Sequence, residues 1–389
     1  MLLLPLLRTP PPRAAARPPS VSFVNPLEVD GFGEDGGWGS HAAPSRLPLL
    51  LFLPGMDGSL TTPFMQYPEL GRAFELACLC HADGLASRAS FDQLADDCAA
   101  FVASQLGAGR QVLLVGESFG ATLALGVLAR LRAEESPLGV CLVNPATSYG
   151  RSALRRIGPS CAALPPPLYA LSLLLLAALV LEPAQLPAFL ALIASVRAPA
   201  LLNRPEREAF LGRVALSAML GVARGPQFAI GELLRVQIFS ADDLAFRLSH
   251  WLEAGAAAVE EYLPRVDVPM LLIAGENDRL LPSVDEARRL MAMWPEKVRR
   301  GIVVVPAAGH ASTLGTQLDL SAELFLAFGH ELGANERGNP PSQERRPTGL
   351  ATSGDDSFIW SNGLVRRTYE PLPVQEYGEW NRGGKKFPL

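Results

Sequence analysis

Between residues 46 and 333, short apolar runs alternate regularly with runs of helical period. "LPLLLFLPG" (Leu47 to Gly55) is almost continuously apolar, as a strand buried on both faces must be. "FELACLC" (Phe74 to Cys80), "RQVLLVGE", "LGVCLVNPA", "VPMLLIAGEND" and "RGIVVVPAAGH" repeat the pattern. Between them lie "SFDQLADDCAAFVASQLGA", "FGATLALGVLARLRA", "SVDEARRLMAMW" and "LDLSAELFLAFGHEL". In the first of these, Ser90 and Gln93 stand at capping-box spacing, and apolar residues recur at Leu94, Ala95, Cys98, Phe101 and Val102. Ser283, with Glu286 three residues on, reads as the N-cap of the third. Parallel strands need crossovers, so the alternation implies an α/β fold with a mostly parallel sheet and helices on both faces. In such sheets chemistry gathers beyond the carboxyl ends of the strands.

At one of those ends stands Gly116-Glu117-Ser118-Phe119-Gly120. A strand ends at Val115 or Gly116 and a helix starts near Phe119, so Ser118 occupies a sharp turn. Small flanking residues let neighbouring elements approach such a turn, and the helix N-terminus offers unpaired N–H groups with a partial positive charge. Both features suit a nucleophile whose reaction creates an oxyanion.

A serine hydroxyl needs a base. Among five histidines, His310 follows directly from a strand end, in "PAAGHAS". His330 lies in the closing helix and His41 in a linker; His81 and His250 complete the set. The base in turn needs an acid to fix its tautomer. Asp278 ends the strand "LLIAGEND"; Glu276, two residues earlier, is the rival, and Asp278 is preferred as nearer the turn. The chain order is then nucleophile, acid, base: Ser118, Asp278, His310. An oxyanion hole requires two backbone donors. The N–H groups of Phe119 and of Met56, in "PGMDGS", are the candidates, with Asp57 bracing the Met56 loop. No metal or other cofactor is implied.

With "LFLPGMDGSL", "SFDQLADD", "LVGESFGATLAL", "LVNPATSYGRS" and "GENDRLLPS" in view, the chain resembles the α/β-hydrolases. More narrowly, it is similar to the plastid esterase/lipase/thioesterase family that includes phytyl ester synthases, over roughly residues 47 to 333. The resemblance implies an α/β-hydrolase fold and acyl chemistry on lipid esters in a plastid, by hydrolysis or acyl transfer through an acyl-serine. Alternatives are a phytyl esterase of chlorophyll-type pigments and a non-catalytic lipid-binding homologue. Many members of that family carry a second, acyltransferase domain that uses a histidine with an aspartate five residues later. No histidine here has that spacing, so the resemblance covers the hydrolase domain alone.

Between the fourth strand and "VPMLLIAGEND" the alternation stops for about 120 residues, and residues 148–265 are expected to form a helical apolar cap. Cys161 to Leu181 carries no charge, but Pro165, Pro166, Pro167 and Pro183 cut the stretch. The longest proline-free apolar run is about 14 residues, short for a bilayer span. A lid over an acyl pocket, touching a lipid surface as a peripheral contact, fits better than a transmembrane helix. The partner is then an acyl lipid; with a net charge of −5 and no basic stripe, nucleic acid is not one. Five cysteines without paired spacing read as reduced core thiols, Cys78 and Cys80 on one strand face.

Residues 1–45 are expected outside the fold. The first 27 contain no Asp or Glu but carry Arg8, Arg13 and Arg17, as an organellar transit peptide does, and "DGFGEDGGWGS" reads as linker. Residues 334–389 begin polar and Pro/Gly-rich and read as a mostly disordered tail whose aromatics pack on something. The core thus divides into residues 46–147 and 266–333.

Overall fold

The computed structural model describes residues 19–26, 47–58, 62–63, 66–83, 86–165, 168–169, 172, 240–314 and 318–332, with four two-residue strands between 351 and 372. Six strands form the parallel body: β2 (Leu49–Leu53), β3 (Glu75–His81), β4 (Val112–Glu117), β5 (Gly139–Val143), β6 (Met270–Gly275) and β7 (Arg299–Val305), in the order β3-β2-β4-β5-β6-β7. The pairings are parallel, as the crossovers require.

Two cores result, one on each face, because side chains alternate along a strand. Leu49, Leu51, Leu53, Leu114 and Leu142 face α2 (Phe91–Gly107), α3 (Phe119–Leu128) and α7 (Ser283–Met293). Leu50, Phe52, Leu113, Val115 and Val143 face α1 (Tyr67–Ala73) and α8 (Leu320–Phe328). This double burial is why the strands read as unbroken apolar runs. Cys78 and Cys80 share the second core, and all five cysteines are free. Helix α2 starts on the expected capping box: the Ser90 hydroxyl accepts from the Gln93 N–H, and the Gln93 side chain accepts from the Ser90 N–H.

Four expectations are corrected. Residues 21–24, placed outside the fold by sequence, form β1 (Val21–Val24), which pairs antiparallel with β3 along one sheet edge. Their alternation is too short to stand out from a Pro-rich leader. In the tail, read as mostly disordered, β8 (Ala351–Thr352), β9 (Phe358–Ile359) and β10 (Val365–Arg366) form a small antiparallel sheet. There too, β11 (Pro371–Leu372) pairs antiparallel with β7 at the other edge of the main sheet. The cap boundary also moves. α5 (Ala241–Arg247) packs on α4 (Ala153–Ala162), which follows the turn after β5, but the wide π-turn Leu248–Glu253 and α6 (Ala254–Glu260) join the helix layer, the π-turn on α3 and α6 on α2 and α3. Trp251, Leu252 and Val259 lie in the first core, so residues 248–260 belong to the sheet's helix layer and not to a cap. Most of the apolar stretch expected as the lid lies outside the described residues. Among those described, no helix is long and apolar enough to cross a membrane.

The fourth correction concerns α7. Ser283 does not cap it: the cap position is Pro282, and no side-chain cap bond forms. Glu286 is instead fully buried and accepts from Thr147, Arg151 and Arg289, which binds α7 to the turn after β5.

Candidate active site

Five neighbouring strand ends supply the site. Ser118 directly follows β4, at φ 54° and ψ −114°, a left-handed backbone rare for a residue with a Cβ. Close packing enforces that turn. A Cβ on Gly116 would stand 2.4 Å from the Gly120 carbonyl oxygen, and one on Gly120 would stand 1.9 Å from that of Leu53. Only glycine at both positions lets β4 hand over to α3 directly beneath the end of β2.

The loops after β6 and β7 bring the partners. His310 Nε2 lies 3.0 Å from Ser118 Oγ, and His310 Nδ1 lies 2.7 Å from Asp278 Oδ2. Asp278 Oδ1 accepts the N–H groups of Leu280 and Leu281 at 2.9 and 3.0 Å, and Oδ2 accepts the Ser283 hydroxyl. Burial pushes the Asp278 carboxyl up. The charge and hydrogen bond of His310, with the Leu281 N–H and Ser283 hydroxyl, outweigh that and hold it below the usual carboxylate range. Burial likewise presses the His310 imidazole down. The Asp278 carboxylate, helped by the charges of Glu117 and Asp57, wins and raises it above the ordinary histidine value. This is a hydroxyl, an imidazole and an ionised carboxylate in line, able to pass a proton away from the hydroxyl.

Glu276, the rival acid, is exposed; its carboxylate accepts the Ala307 N–H and so braces the loop that carries His310. His330 is exposed beyond α8, and His250 is exposed and stacked on Phe246. His81 is buried against Trp251, and His41 lies outside the described residues. Met56 follows β2 in a turn closed by Gly58 N–H donating to the Gly55 carbonyl at 2.9 Å. That turn abuts the serine: a Cβ on Gly55 would lie 3.7 Å from Ser118 Cβ. Phe119 is the first residue of α3, so its N–H is one of the donors a helix start leaves without an intrahelical partner. Asp57 shares the Met56 turn.

Two residues at the site escape a reading by sequence alone. Asn144, fully buried at the end of β5 with φ 45°, donates from Nδ2 to the His310 carbonyl (2.9 Å) and to Thr313 Oγ1 (2.8 Å). Its Oδ1 accepts the Gly275 N–H at 2.8 Å. One side chain thus ties the ends of β5 and β6 to the histidine loop. The available signal was an asparagine at a strand end, a residue type that tolerates left-handed backbone. Glu117, inside the serine motif itself, is buried and accepts the Thr62 hydroxyl; burial pushes its carboxyl up to about 7.

Comparison with known proteins points to the same fold. Residues 50–323 match the model of the alpha/beta hydrolase family. The chain is 29% identical over 245 residues to phytyl ester synthase 1, chloroplastic, of Arabidopsis thaliana, a match that covers 62% of this chain and 32% of that protein. It is 38% identical over 108 residues to phytyl ester synthase 2, chloroplastic, of the same plant, covering 27% and 15%. The chain therefore spans at most about a third of the length of these curated relatives. Among solved structures, MGS-M2, an alpha/beta hydrolase enzyme from a Medee basin deep-sea metagenome library, superposes with a TM-score of 0.50 at 16% identity, over 75% of this chain and 92% of that one.

Proposed function

The chain belongs to the alpha/beta hydrolase family, and from that premise we propose that it is a serine enzyme acting on acyl lipid esters. Ser118 is the nucleophile. His310 Nε2 takes its proton as Oγ attacks the ester carbonyl, and Asp278 holds the opposite N–H and stabilises the imidazolium that forms. The Met56 and Phe119 N–H groups receive the oxyanion. As the tetrahedral adduct collapses, His310 returns the proton to the leaving alcohol, and an acyl group remains on Ser118. Water or a second alcohol, deprotonated by His310, then releases it. The two outcomes, hydrolysis and acyl transfer, differ only in which acceptor reaches the acyl-serine.

The observation that carries this reading is the 3.0 Å and 2.7 Å relay from Ser118 through His310 to Asp278. The likeness to plant proteins named as chloroplastic phytyl ester synthases supports a lipid acyl ester as substrate and a plastid as the location. The acid-free stretch ahead of β1, with Arg8, Arg13 and Arg17, supports that location as well.

The test is turnover of p-nitrophenyl esters of graded chain length, with phytol present or absent as acceptor, by the full chain and by Ser118→Ala. Long-chain esters should be consumed, giving free acid or phytyl ester, and the variant should lose at least about 10³-fold in kcat. Ester turnover that survives in Ser118→Ala would overturn the reading.

A further inference from the structure

Both residues proposed as oxyanion donors are held from the far side of the insertion, Met56 by a buried cation and Phe119 by the indole on which that cation lies. Arg247, the last residue of α5, is fully buried, and its Nη1 donates to the Met56 carbonyl. Its guanidinium also lies over the Trp251 ring, 4.3 Å from the centroid. Trp251 in turn stacks on the Phe119 ring at 5.0 Å and 15°. The indole is itself fixed: Nε1 donates to the Ala89 carbonyl at 2.7 Å, and His81 stacks on it with ring centroids 4.7 Å apart. Arg247 and Trp251 are four residues apart, and the wide π-turn begins at Leu248, directly after the arginine. Such turns are costly relative to a regular helix and are frequent at functional sites. Here the turn sets two large side chains against the two loops that flank Ser118.

We infer that Arg247, backed by Trp251, is a positioning residue that sets the oxyanion hole, an inference that rests on the proposed serine mechanism. The carbonyl and the N–H of Met56 sit on the two peptides that flank one Cα. Pinning the carbonyl restricts the rotations that would swing the N–H away from the reacting carbon. The stack on Phe119 does the same from the other donor's side chain. Preorganisation matters because donors must already face the place where charge develops; removing one costs about 10²–10³ in kcat. A planar guanidinium satisfies both contacts at once, by an in-plane N–H to oxygen and a flat face on the indole, which an ammonium cannot do.

The experiment compares the full chain with Arg247→Lys and Arg247→Met. It measures kcat and KM on one p-nitrophenyl ester, the pH midpoint of kcat/KM, and inhibition by an alkyl trifluoromethyl ketone, whose adduct carries an oxyanion. Arg247→Met should lose about 100-fold in kcat with KM within about threefold, and Arg247→Lys about tenfold. Trifluoromethyl-ketone affinity should fall in proportion to kcat/KM, and the pH midpoint should stay put because His310 is untouched. A merely structural role would not link inhibitor affinity to kcat in this way. Where Arg247→Met does not fold, Arg247→Lys alone decides. Wild-type kcat and inhibitor affinity in the lysine variant, or a loss confined to KM, overturns the inference. Failure of the mechanism itself is distinguishable: the wild-type chain would then show no ester turnover dependent on Ser118.

Discussion

Replacing Glu117 with glutamine should stabilise the protein in a pH-dependent way. The carboxyl is buried between Ser118 and the turn of Asp57, and burial raises its pKa from 4.5 to about 7. An acid whose folded pKa lies above its unfolded value adds no penalty below the unfolded pKa. The stability it allows is lost as pH rises from about 4.5 through about 7, because the unfolded chain ionises first. That difference corresponds to about 3 kcal/mol at full development. Glutamine keeps an oxygen for the Thr62 hydroxyl and does not titrate. Glu117→Gln should therefore differ from the parent by about 1 kcal/mol more stability at pH 5 and about 3 kcal/mol at pH 8. Urea unfolding at the two pH values measures this. A second consequence follows at His310, whose pKa the Glu117 charge helps raise. The imidazole must be neutral to act as base, so kcat/KM should climb as pH rises through its pKa. In Glu117→Gln that midpoint should move to lower pH. An unfolding difference equal at pH 5 and pH 8, with an unmoved midpoint, would refute the claim that a buried, partly ionised acid sits beside the base.

Asn144→Ala removes three side-chain hydrogen bonds and leaves alanine at φ 45°. It should cost about 3–4 kcal/mol in denaturant unfolding and lower kcat by loosening the His310 loop; a loss under about 1 kcal/mol would contradict the tie described. Gly120→Ala drives a Cβ into the Leu53 and Pro54 carbonyls, backbone that has no rotamer to change. It should abolish soluble expression or cost at least about 4 kcal/mol, checked by expression yield and thermal melting; a stable, active variant would show that the elbow is looser than described.

Most of the parallel sheet was legible because burial on both faces leaves a long apolar run, and because Ser90 and Gln93 cap α2 as local chemistry dictates. The candidate site was legible for a related reason. Strand ends are marked by abrupt changes of residue type, and Ser118, Asp278 and His310 each fall at one. What stayed hidden depends on tertiary contact. Ser283 and Glu286 have capping-box spacing, but the pull of Asp278 on the hydroxyl and of Arg151 and Arg289 on the carboxylate outweighs a local cap. β1 carries too few residues for periodicity and is ordered by pairing with β3. Arg247 and Trp251 read as part of a lid, since nothing local says that a helix after a long apolar insertion returns to the sheet.

In the proposed reaction every acyl group passes through Ser118. The direct measurement is acid quench of the full chain during turnover of a slow long-chain ester, followed by mass spectrometry of the tryptic peptide Gln111–Arg130. This peptide should gain the mass of the acyl group, less one hydrogen, on Ser118, and the gain should be absent in Ser118→Ala. Ester consumed at an undiminished rate with Gln111–Arg130 unmodified at every quench time would contradict it.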